Sequence, residues 1–60
     1  MKIFVQFRDK NEDEIVSYFM SAQNHDVYEN LGEIETNDER WKKYFESLPP
    51  YVQELLPQPD

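Results

Sequence analysis

Sixty residues make a single domain, 1–60, and leave no length for a second. A chain this short buries only about 60% of the surface it exposes when unfolded, so a deep catalytic cavity is not expected. With no cysteine there is neither a disulfide framework nor a thiolate zinc site. The formal net charge of -7, from 13 acidic against 6 basic residues, disfavours direct contact with nucleic acid or an anionic membrane and points to a basic partner. One Trp, four Tyr and four Phe supply the large buried area that a small core needs.

Ile3, Val5 and Phe7 alternate with Lys2, Phe4, Gln6 and Arg8, the period-two pattern of a half-buried strand over residues 2–8. Residues 14–21, rich in β-branched and aromatic side chains, read as a second strand. The polar stretch Asp9-Lys10-Asn11-Glu12-Asp13-Glu14 between them makes a hairpin the economical connection, with Asn11 the natural left-handed residue. Periodicity then lapses from Ala22 to Asn30. A short alternating piece after Gly32, residues 33–36, reads as a third strand at a sheet edge.

Thr36-Asn37-Asp38-Glu39 matches a capping box and starts a helix over 37–48. Trp41, Tyr44, Phe45 and Leu48 fall on one stripe of that helix, to pack on the sheet. The pairs Asp38–Lys42 and Glu39–Lys43 support it at i, i+4. Pro49-Pro50 must stop it, and a helical turn over 50–56 follows with Tyr51, Val52, Leu55 and Leu56 on an apolar face, before a frayed end. The fold class is therefore α+β in two layers: a β-hairpin and a short third strand, packed by one amphipathic helix and a C-terminal helical turn. Phe4, Val16, Tyr18 and Met20 fall on the sheet face opposite Ile3, Val5 and Phe7 in some registers. That second face is either covered by the C-terminal turn or mates with a partner or a second copy, so monomer and homodimer both remain open.

Residues 22–39 hold Asp26, Glu29, Glu33, Glu35, Asp38 and Glu39 with no Lys or Arg among them. Six carboxylates without an interleaved base repel one another beyond what solubility requires, and such a surface can take the place of phosphates in a basic groove. The same residues also suit a helix start and an outward-facing edge strand, where acids are simply solvated. Tyr28, in the irregular acidic stretch, is the candidate exposed anchor. Asp9, Glu12, Asp13 and Glu14 at the hairpin tip form a second acidic contact.

Asp9, Asn11 and Asp13 begin like a calcium loop, but Glu14 and Met20 stand where it needs Gly and Glu, so no metal is expected. His25 with Asp26 lacks a nucleophile or a ligand set around it. Neither catalytic residues nor cofactors are expected, and the chain reads as a non-enzyme. No stretch suits a signal peptide or a membrane span, no Asn-x-Ser/Thr acceptor occurs, and the expected location is the cytoplasm.

In length, acidity, lack of cysteine and α/β build, above all across Glu29 to Glu39, the chain resembles the small acidic inhibitors carried by phages and prophages, including anti-CRISPR proteins and other DNA mimics. The likeness is one of composition over the whole chain. It implies a protein that lodges on the basic DNA- or RNA-binding surface of a bacterial defence complex in the host cytoplasm, with Tyr28, Glu29, Glu33, Glu35, Asp38 and Glu39 in contact. The alternative is a prophage or virion-associated accessory module that binds through the apolar sheet face.

Overall fold

Strand β1 (Lys2–Phe7) forms where alternation is strongest, and Ile3, Val5 and Phe7 are buried along one of its faces. It pairs antiparallel with β2 (Ile15–Phe19) on one side and with β3 (Leu31–Glu35) on the other, in a sheet of order β2-β1-β3. A computed structural model describes all sixty residues. Its remaining elements are helix α1 (Glu39–Glu46) and the single turn α2 (Pro50–Gln53), so the α+β two-layer architecture holds.

The register settles which residues face the core. Val5 stands opposite Tyr18 and Phe4 opposite Phe19, but Phe7 stands opposite Ile15, because the register slips between Gln6 and Phe7. The extra residue is Val16, a β-bulge that lets Ile15 and Tyr18 share the core face although they are three apart. Strict alternation places Tyr18 with Phe4 on the second face. The bulge corrects this: Tyr18 packs on Trp41 at 5.5 Å between ring centroids, while Phe19 takes the place beside Phe4.

Gly32 lies within β3 rather than before it, because Asn30 at φ 57° turns the chain early enough for Leu31 to pair with Gln6. It faces the core opposite Val5, where the Phe7 ring covers it and leaves no room for a side chain. In the hairpin the left-handed residue is Glu12 (φ 59°), not Asn11, whose N–H donates to the Asp9 carboxylate in an Asx turn.

The helix starts two residues later than the sequence pattern suggests. Alternation along β3 carries Thr36 inward after Ile34, so its hydroxyl is buried and donates to the Asp60 carboxylate at 2.9 Å instead of capping. Asp38, extended at φ −71° and ψ 133°, is the N-cap and accepts from the Arg40 N–H. Trp41 is fully buried and Phe45 nearly so, with Tyr44 and Leu56 packed at the margin. The expected Asp38–Lys42 pair is not formed, since Asp38 is taken by Arg40, and Glu39 and Lys43 do not pair either.

At the other end of α1, the Gln53 side-chain amide donates to the carbonyl of Phe45, which also accepts from the Leu48 N–H, and to that of Leu48, which the Pro49-Pro50 break leaves without a helical donor. The apolar face foreseen for 50–56 is divided: Val52 and Leu56 turn inward, while Tyr51 and Leu55 are 72% and 81% exposed. The final residues do not fray. The Pro57 carbonyl accepts from the Trp41 indole N–H at 3.1 Å, and Asp60 closes on Thr36 through both backbone and side chain. No helix is long and apolar enough to cross a membrane.

Candidate functional site

Because β2 and β3 flank β1 and both run against it, the connection between them, residues 20–30, must cross one face of the sheet. It crosses the face opposite the helices, as a strap. A turn built on Asn24 shapes it: the Asn24 carbonyl accepts from the Val27 and Tyr28 N–H groups, and its side chain accepts from Asp26 N–H at 2.8 Å. The turn seats the Tyr28 ring against Phe19 at 5.0 Å, and Gln6 donates across the sheet to the Glu29 carbonyl. Tyr28 is thus half-buried in the strap rather than a free-standing anchor. The second sheet face is covered by this strap and not by the C-terminal turn.

The cover is incomplete. Between strap and sheet lies an open cleft of about 350 Å³, floored by Phe4, Phe19, Leu31 and Glu33 and walled by Ala22 and His25. Phe4 pairs with Glu33 and Gln6 with Leu31, so these side chains share the second face. Spacing alone hid the cleft, because Leu31 and Phe19 declare themselves as floor only once the bulge and the β3 start are fixed.

The acidic residues fall into two groups. Glu33 and Glu35 lie on the second face at the β3 edge, where Glu33 pairs with Lys2 at 3.7 Å and Glu35 with the amino group of Met1 at 3.5 Å. Both pairs are exposed and contribute little. The second group forms where the helix start meets the hairpin tip. Arg40 grips Asp38 through two bonds, Nε to Oδ1 at 3.0 Å and Nη2 to Oδ2 at 2.7 Å, and sends Nη1 to the Glu12 carbonyl at 2.6 Å. Its guanidinium also lies over the Phe7 ring, 5.0 Å from the centroid.

This geometry has an electrostatic counterpart. The Arg40 bond holds the Asp38 carboxyl below its ordinary 3.8, and partial burial opposes the shift. The bond from Asp38 raises the Arg40 guanidinium in return, with Glu12 and Asp13 adding a smaller pull. Asp9, Glu12, Asp13 and Glu39 make no ion pair in this region, whereas Glu14 is paired with Arg8 at 3.1 Å. Glu29 is exposed and unpaired on the strap. The hairpin tip, through Glu12 and Asp13, and the helix start, through Asp38, separate in the sequence, therefore meet in one acidic rim at Arg40, with Lys43 lining the small cleft beside Asp13 and Glu14.

A scan against protein-family models, a search of curated proteins and a search of solved structures each find no match for this chain.

Proposed function

We propose that this chain is a non-enzymatic acidic binding protein that occupies the basic nucleic-acid-binding surface of a partner complex and competes there with phosphate. The observation that carries this reading is the junction itself: Arg40 is spent on Asp38 and the Glu12 carbonyl, so the Glu12 and Asp13 carboxylates beside it make no ion pair, and Lys43 is the other cation lining the small cleft there. Exposed carboxylates without an ion-pair partner gain from meeting Lys and Arg as phosphates do, with release of counterions. Glu29 on the strap adds charge away from the rim. The compositional likeness to phage-borne inhibitors makes a bacterial defence complex of the CRISPR type, in the host cytoplasm, the partner to try first.

The experiment is retention of a partner from bacterial lysate by the native protein and by an Asp13→Lys, Glu29→Lys, Glu39→Lys variant, washed over a salt series with and without duplex DNA. None of these three side chains makes a bond that holds the fold. The expected outcome is a nucleic-acid-binding complex held by the native protein alone and released by DNA or by salt, since counterion-release binding falls steeply with ionic strength. Equal retention by both forms at high salt overturns the reading.

A further inference from the structure

The β1–β3 ladder leaves one row of backbone groups open. Thr36 N–H donates to the Met1 carbonyl and Phe7 N–H to the Asn30 carbonyl, so the hydrogen-bonded positions of β3 that face β1 are Gly32 and Ile34. Leu31, Glu33 and Glu35 alternate with them, and their N–H and C=O groups point away from the sheet. Neither the strap nor the C-terminal tail bonds to Leu31 or Glu33, and of Glu35 only the carbonyl is used, by Asp38 N–H. An open edge of this length is a template for another strand. Natural edges are blunted by charged side chains, proline or a bulge; β3 has neither proline nor bulge, and its only charges are Glu33 and Glu35, which repel acidic strands and not basic ones, whereas the opposite edge, β2, carries the Val16 bulge.

The side chains along this edge select what can pair. Glu33 and Glu35 project on the second face at a spacing of about 7 Å, two residues of strand rise. Next to Glu33 opens the cleft floored by Phe4, Phe19 and Leu31. Its shape and lining suit a long side chain with an apolar stem and a cationic head: the stem lies on the rings and the head reaches the carboxylate.

We propose that the β3 edge takes up an extended basic segment of a partner protein by strand addition, pairing with the backbone of Leu31, Glu33 and Glu35 and placing an arginine or lysine side chain in the cleft beside Glu33. The inference deepens the reading of a basic partner and rests on it, but it uses a different surface from the carboxylate rim. Backbone pairing supplies affinity, and the alternating Glu33 and Glu35 supply the preference for basic residues at every second position. The exposed Lys2–Glu33 pair is weak enough for an incoming cation to displace.

The test uses three acetylated, amidated octapeptides: one alternating lysine or arginine with valine or threonine, one with the same sequence and N-methyl groups on alternate amides, and one with aspartate at the basic positions. Titrations are followed by amide hydrogen exchange and 15N chemical shifts of the full chain. The basic peptide is expected to slow exchange at Leu31, Glu33 and Glu35 and to shift Phe4 and Phe19, while the other two peptides do neither. Glu33→Gln should weaken binding about two- to fivefold, the weight of one exposed ion pair. Absence of binding, or equal binding of the N-methylated peptide, overturns strand addition. Binding that the Asp13→Lys, Glu29→Lys, Glu39→Lys variant abolishes and that leaves the β3 amides unprotected overturns it too, yet keeps the rim as the partner surface. Equal lysate retention by the native protein and that variant at high salt, with peptide protection at β3 intact, sinks the rim reading instead.

Discussion

Arg40 is the residue on which the helical layer and the hairpin agree. Its planar fork serves Asp38 by two bonds and Glu12 by a third while its face rests on Phe7. A lysine has one ammonium and no plane, and cannot serve all three. Asp38 is the complementary half, and Asp38→Ala removes both the N-cap and the Arg40 partner. We expect a loss of about 1–2 kcal/mol in urea unfolding at pH 7. The pH dependence follows from the lowered Asp38 carboxyl. A group depressed in the folded state stabilises above its unfolded value and loses that contribution as the pH falls through the folded one. The gap between native protein and Asp38→Ala should therefore be full above about pH 5 and close progressively below 3.8. A gap that persists unchanged at pH 2 would show that the carboxylate charge is not what Arg40 reads.

Each strand flanking β1 owes its place to a residue that breaks a rule. Gly32 weakens β3 by its own flexibility, yet the Phe7 ring occupies the space where its Cβ would stand. Gly32→Ala must push that ring out of a packed core, and we expect about 1–3 kcal/mol of destabilisation with the fold retained, measured by thermal unfolding. Val16 breaks alternation in β2, which explains how much of the fold could be read in advance. The alternation of Ile3, Val5 and Phe7 and the stripe of Trp41, Tyr44, Phe45 and Leu48 are local signals, and both survive except that Leu48 lies beyond the helix, which ends at Glu46 rather than at 48. The bulge is not local, because which of Ile15 and Val16 is extra depends on what β1 offers opposite. The same reason hid the N-cap: Thr36 and Asp38 both have capping side chains, and only the path of β3 decides which turns inward. Of the candidate contacts, the acids were visible as a run, but their division between the β3 edge and the hairpin rim is a property of the sheet order.

At the scale of the whole molecule, one wedge of aromatic rings holds the two layers together. Tyr18, Tyr44 and Phe45 surround Trp41 at 5.5 Å, 5.7 Å and 6.2 Å, and the C-terminal tail seals it through the Pro57 carbonyl. Both strand partners of β1 are needed around this wedge, but they differ in how they arrive. The β1–β2 hairpin closes over a short turn, whereas Lys2 meets Glu35 only after the strap has traversed the sheet. The strap's task is thus mainly one of reach, and the entropic cost of a closed loop rises slowly with its length. Four glycine and serine residues inserted between the exposed Met20 and Ser21 should lower stability by no more than about 0.6 kcal/mol, checked by urea unfolding followed through Trp41 fluorescence. A much larger loss would mean that the strap's own seat on Phe19 is a structural joint. If the insertion is tolerated, the crossing of the sheet becomes a point of evolutionary latitude: descendants of this chain could lengthen, decorate or recharge residues 20–30 without rebuilding the strands beneath.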